Sequence, residues 1–303
     1  RPQSSFDFSA DRPTSAISRP LAQSLKAIRA IPEDTLAEIA EKRKRLSAAK
    51  TEPSYWHRRM AADLYTAAFL LPKKQAPRVA GEAMVPTTDH LWRTLGGGQI
   101  YGPLAGAIRE AADKARAFHW PLEFPDVMAN GGFDAVIGNP PWDRLKLQEQ
   151  EFFASREPEI AFAQNADARG KMIAKLKQAP PGTRAYQLAE EFERAKRSAE
   201  ASSVFARDAN RFPLTGVGDV NTYALFAELF EQLLNQKGRA GIIIPTGIAT
   251  DATTAPFFSS IVNERRIVSL HDFQTGLGFF DRIGHARFKF ALLTLGGPSV
   301  GPI

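Results

Sequence analysis

The chain has 303 residues, 44% of them hydrophobic, a formal charge of +6 and no cysteine. That length supports a substantial core and, as a prior, about two domains. The lack of cysteine excludes disulfides, thiolate zinc sites and a cysteine nucleophile. A mildly basic balance suits an anionic partner such as nucleic acid without requiring one. No apolar run approaches the ~20 residues needed to span a membrane, and the opening "RPQSSFDFSADRP" lacks the apolar stretch of a secretory leader. The chain is therefore read as cytoplasmic, with no membrane partner. It opens on Arg and stops just after the apolar "KFALLTLGG", which reads as a piece of a longer protein.

The Ser-, Pro- and Arg-rich start is expected to be irregular as far as "LAQSLKAIRAI". From Pro32, "PEDTLAEIAEKRKRLSAAK" reads as a helix, with proline in its first turn and acids ahead of the basic cluster. The run "EKRKR" can touch phosphate, but the commoner role of such a run is a solvated helix face. Met60, Leu64, Ala67, Ala68 and Leu71 then recur at helical spacing, and Pro72 closes that helix. A short helix, a glycine hinge at "LGGGQIYG", another helix and a loop are expected up to residue 130. "GGFDAVIGNPPW" reads as a buried strand running into a turn. Residues 144–212 form a long, charged, mainly helical insert with a break at Ala179–Gly182. "NTYALFAELFEQLLNQKGRA" reads as an amphipathic helix, with Tyr223, Phe226, Phe230 and Leu233 on one face and Gly238 near its end. "AGIIIPTGI" reads as a buried strand, "APFFSSIVNERR" as a helix, and "IVSLHDFQ" and "RFKFALLTLGG" as strands. The order strand, helix, strand, helix, strand, strand belongs to an open α/β sheet, which binds ligands beyond the carboxyl ends of its strands.

The turn "NPPW" sits where the first of these strands leaves the sheet. Pro140 and Pro141 fix φ, remove two backbone donors and keep the residue before each extended. The result is a rigid hairpin of acceptors beside an indole. The Asn139 side-chain oxygen and the Pro140 carbonyl can each accept one proton of a planar amino group, with Trp142 against the ring face. The bland alternative is a strand-ending turn with a core aromatic.

Asn139-Pro140-Pro141-Trp142 resembles the catalytic motif of adenine-N6 DNA methyltransferases of the amino-methyltransferase class. "FHWPLEFPDV" followed by "GGFDAVIGNPPWDRLKLQEQEFF" is similar to the large methylase subunits of type IIG restriction–modification and phage-defence systems. "GDVNTYALFAELFEQLLNQKGRAGIIIPTGIATD" and "FKFALLTLGG" resemble later units of the same family, so the likeness spans roughly residues 115–297. The resemblance implies a partial Rossmann-like class I methyltransferase sheet, with a helical segment 1–114 and a catalytic half 115–303 that carries the insert 144–212. It implies Asn139, Pro140, Pro141 and Trp142 as catalytic residues, S-adenosylmethionine as methyl donor, and double-stranded DNA as substrate. The target adenine has to leave the stack, at a cost of a few kcal/mol. Two acceptors on its amino protons localise the nitrogen lone pair toward the methyl group, which is stabilisation by preorganised dipoles. No metal is required. Arg144 or Lys146 can meet phosphate, and a solvated charge is as ordinary a role for either.

The family's glycine-rich cofactor loop is expected before Asn139 and is not found there. "LGGGQIYG" at Leu95–Gly102 follows no apolar strand, and "TGLGFFDRIG" at Thr275–Gly284 falls too late in the order. The reading is that the first strands lie upstream and the DNA reader downstream, in the rest of the same polypeptide or in partner subunits. Asp219, Asn221 and Tyr223 can border the pocket, with helix capping the plainer role for Asp219 or Asn221. His271 and Asp272 are read as structural. Two other functions fit the residues. One is a methyltransferase acting on another planar amino group, such as an RNA base or a glutamine amide. The other is a non-catalytic DNA-binding or assembly module.

Overall fold

The computed structural model of the chain describes residues 14–74, 76–274 and 289–300. Its first part is helical. Helix α1 (Thr14–Arg29) begins before the expected "LAQSLKAIRAI", since the helix runs through Pro20. Helix α2 (Leu36–Thr51) starts four residues after Pro32, because Thr35 is its cap. The Thr35 hydroxyl accepts from the Glu38 amide at 3.2 Å, and the Glu38 carboxylate accepts from the Thr35 amide at 2.9 Å. This reciprocal pair satisfies two amides that a helix start otherwise leaves open. Helix α3 (Pro53–Leu70) follows, with proline at its first position. A two-residue hairpin, β1 (Arg78–Val79) and β2 (Glu82–Ala83), precedes α4 (Thr88–Leu95) and α5 (Gly102–Lys114). Met60, Leu64 and Ala67 of α3 pack with Leu91, Leu104 and Ile108 in one buried cluster. The expected loop after α5 holds two short helices, α6 (Trp120–Glu123) and α7 (Pro125–Ala129). Trp120 stacks on Phe124, and both rings meet Phe133 edge-on. That aromatic cluster ties the helices to the first residue of the sheet.

Among the described residues the sheet has four strands: β3 (Phe133–Gly138), β4 (Leu234–Pro245), β5 (Ile267–Gln274) and β6 (Lys289–Gly296), in the order β3-β4-β6-β5. β3 and β4 are parallel, and β6 is antiparallel to both β4 and β5. Hence β3, β4 and β5 all point their carboxyl ends to the same edge. The fold is mixed α/β, with a small mixed sheet and many helices. Between β3 and β4 lie α8 (Glu149–Ala154), α9 (Pro158–Ala161), α10 (Ala166–Lys177), α11 (Arg184–Asp208) and α12 (Thr222–Leu233). The first four build their own core from Phe153, Ile160, Ile173, Leu188 and Phe192. The expected break at Ala179–Gly182 falls between α10 and α11. The Tyr65 hydroxyl donates to the Ala209 carbonyl at 2.5 Å, and Phe69 meets Phe205 edge-on. The insert is thereby fastened to the first helices.

Two expectations fail for a common reason. β3 is not a buried strand: among the described residues it has one neighbour, β4, and Ile137 is 86% exposed. An apolar run specifies a strand, but its burial depends on what pairs beside it. Second, the helix expected to run to Gly238 stops at Leu233, and "LNQKGRA" is the first half of β4. There Ala240, Ile242 and Ile244 face the main core with Tyr223, Ala227 and Phe230 of α12, while Arg239 and Ile243 point the other way. Burying each such large apolar side chain contributes roughly 1.5–3 kcal/mol. Helix α13 (Gly247–Thr250) and α14 (Ala255–Asn263) complete that layer, with Ile248 and Phe257 fully buried. Gly132 adopts φ +125°, and a Cβ there would strike the backbone of Leu233 and Leu234. Only glycine lets β3 start this close to the head of β4.

Candidate active site

β3 carries the chain to Gly138 at the carboxyl edge of the parallel pair. A Cβ on Gly138 would meet the Phe230 ring at 2.9 Å, so α12 packs flush under the residue before the turn. Asn139 is exposed, and its amide side chain has no hydrogen-bond partner among the described residues. Pro140 is buried and Pro141 exposed. Trp142 is 37% exposed, and its indole N–H donates to the Ile243 carbonyl of β4 at 3.4 Å. The indole thus leans on the neighbouring strand and keeps part of its surface open.

After the prolines the turn is held from α12. Thr222 Oγ1 lies 2.7 Å from the Pro141 carbonyl and 3.0 Å from that of Asp143, and accepts from the Asp143 amide at 2.9 Å. The Thr222 amide donates to the Asp143 carbonyl at 2.9 Å, and the Leu145 amide to the Val220 carbonyl at 3.1 Å. Arg144 and Asn221 form an antiparallel bridge. The chain leaving the turn and the chain entering α12 are therefore zipped together. Asn221 caps α12 by accepting from the Tyr223 amide at 3.2 Å, an arrangement worth about 1 kcal/mol. Asp219 is no cap: its carboxylate lies 3.5 Å from the Arg144 guanidinium, and both side chains are more than half exposed. Such surface pairs contribute about 0–1 kcal/mol, so a phosphate can displace this one. Lys146 is exposed beside it. An open cleft of about 470 Å³ runs along this surface, lined by Trp142, Arg144, Lys146, Gln148, Ala199 and Asn221.

At the same edge, the Tyr223 hydroxyl donates to Asp251 at 3.4 Å. Burial, and then the nearby Asp251 charge, push the Tyr223 phenol up to about 12, so it stays protonated at neutral pH. Thr246 donates to Asp272 at 2.6 Å, which occupies Asp272 in joining the ends of β4 and β5.

Sequence reasoning singled out Asp219, Asn221 and Tyr223 and passed over Thr222, although it lies among them. The Ile243 carbonyl and Asp251 were also missed. Only tertiary pairing brings Ile243 to Trp142 and Asp251 to Tyr223, and no motif marks them. The glycines of Leu95–Gly102 follow α4: Gly96 caps that helix and Gly97 is left-handed at φ +82°. Thr275–Gly284 lies outside the described residues. In "EKRKR", Lys42 is 2.5 Å from Glu33 and Arg45 is 2.6 Å from Glu41, as on a solvated helix face.

Fold and site together define an α/β protein with an Asn-Pro-Pro-Trp turn presented beyond the ends of parallel strands. Residues 37–172 match the family model described as Eco57I restriction-modification methylase. The match covers a little under half of the chain and supports a likeness to methylases of the restriction–modification type. The matched span begins in α2, takes in the whole turn and ends within α10. It reaches further toward the start than the likeness read from residue 115, and the later units of that likeness lie beyond it. No curated protein and no solved structure matches the chain. Among the described residues, no helix is long and apolar enough to cross a membrane.

Proposed function

We propose that the chain is the catalytic segment of a site-specific adenine-N6 DNA methyltransferase, with residues 1–114 as a helical segment and 115–303 as the catalytic half. The observation that carries this reading is the Asn139 turn, held open at the carboxyl edge of β3 and β4 inside the matched span. The Asn139 amide oxygen and the Pro140 carbonyl accept the two protons of the adenine amino group. Trp142 offers its exposed face to the extruded base. Arg144 and Lys146 take phosphates along the cleft, Arg144 by leaving Asp219. S-adenosylmethionine is the methyl donor that the reading calls for. The described residues before β3 hold no strand followed by a glycine cradle, so no residue of this chain is assigned to the donor. The setting is cytoplasmic, where host DNA lies.

The test is made in the organism that carries the gene. Substituting Asn139→Ala at the chromosomal locus, followed by sequencing that reads N6-methyladenine directly, should erase methylation at one sequence motif. Adenine methylation unchanged across the genome would overturn the proposal.

A further inference from the structure

Two prolines stiffen the start of the turn, but they leave φ and ψ of Trp142 and Asp143 free, and residues 141–144 are all exposed. Something else has to hold this stretch. Among the described residues, the side chain that bonds its backbone is that of Thr222. The hydroxyl has one proton to give, and the Pro141 carbonyl at 2.7 Å is the nearer acceptor. Its lone pair takes the Asp143 amide at 2.9 Å. The Asp143 carbonyl is then served by the Thr222 amide at 2.9 Å. All three polar backbone groups are thus satisfied by one residue, and the site demands a side chain that both donates and accepts. Thr222 is the first residue of α12, whose Tyr223, Ala224, Ala227 and Phe230 are locked in the main core. The hydroxyl therefore ties the turn to a helix anchored in the main core.

We propose that Thr222 is a positioning residue for methyl transfer, acting through the turn backbone to hold Asn139, Pro140 and Trp142 in register with the base. The inference rests on the reading of the turn as catalytic. Acceptors aimed at an amino group work only in a narrow geometry, and a misplacement of about 1 Å can cost about 100-fold in rate. Thr222→Val keeps shape and volume and removes both hydrogen bonds. Thr222→Ser keeps both.

The two halves of the inference are read separately. Protein labelled with 5-fluorotryptophan gives a ¹⁹F signal for Trp142, assigned through Trp142→Phe. In Thr222→Val this signal should shift or broaden while those of Trp56, Trp92 and Trp120 stay in place, which also shows that the fold is intact. In Thr222→Ser it should stay near the wild-type position. An unmoved Trp142 signal in Thr222→Val overturns the clamp, whatever the activity. With unmethylated phage genomic DNA and S-adenosylmethionine, added to the protein in its natural full-length form, Thr222→Val should lower kcat about 100-fold with KM for DNA within about threefold. Thr222→Ser should recover most of the rate. A moved Trp142 signal with unchanged kcat overturns the positioning role. If the wild type itself transfers no methyl group, the functional reading fails, and the positioning role with it, while the fluorine signals still decide the clamp.

Discussion

Trp142 donates its indole N–H to the backbone carbonyl of Ile243, 3.4 Å away, and so links the turn after β3 to the neighbouring strand β4. This long bond orients the ring without burying it. Base–aromatic stacking is worth roughly 1–3 kcal/mol per base. Trp142→Phe keeps a ring face and should retain most of the activity, whereas Trp142→Ala should fail to hold the base outside the helix. A fluorescent adenine analogue at the target position reports this, since it brightens on leaving the stack. Wild type and Phe should brighten it, and Ala much less. Equal brightening by Ala would make Trp142 a packing residue.

Asn139→Ala should abolish methyl transfer and leave the fold alone. The side chain is exposed and makes no hydrogen bond within the described residues, so urea midpoints should change by no more than about 0.5 kcal/mol equivalent. Retention of most of the turnover would return the motif to an ordinary strand-ending turn.

The 303-residue chain by itself should bind S-adenosylmethionine weakly or not at all. Before β3 the described strands are only the two-residue β1 and β2, and the glycines after α4 end a helix. Calorimetric titration decides the matter. Micromolar binding would show that the chain does hold a site for the donor.

Glu228 should matter to stability and to its pH dependence. Its carboxylate is buried and accepts from the Leu214 amide at 3.2 Å, the Thr215 amide at 2.9 Å and the Thr215 hydroxyl at 2.5 Å. Glu228→Ala orphans these donors and should cost about 3 kcal/mol. Burial raises the carboxyl's pKa, against the lowering effect of the hydrogen bonds. A raised pKa means that the native state holds the proton more tightly. The stabilisation from this group is therefore full below its unfolded pKa and is lost as pH rises through the folded value. In urea titrations at pH 4 to 8, the stability of wild type minus that of Glu228→Gln should fall as pH rises. A difference that is flat or rises would contradict the assignment.

Much of this molecule was determined by sequence alone. The spacing of Met60, Leu64 and Ala67 specified α3, the Ala179–Gly182 break separated α10 from α11, and the apolar runs after residue 130 marked all four strands of the sheet. These signals are local: a helical period, a proline without an amide donor, an apolar run of strand length. "NPPW" was legible for the same reason, since its stiffness is built into four consecutive residues. The tertiary structure decided what depends on partners distant in the chain. Among the described residues it made β3 an exposed edge, because burial is set by the number of neighbouring strands, and it turned "LNQKGRA" into β4, because ladder pairing with β3 and β6 outweighed continuation of α12. It also brought Thr222 beneath Pro141 and Ile243 beside Trp142, contacts across 81 and 101 residues. No local pattern encodes such a meeting. It follows from the parallel pairing of β3 with β4 and from the closure of the insert at residues 143–145 and 220–222.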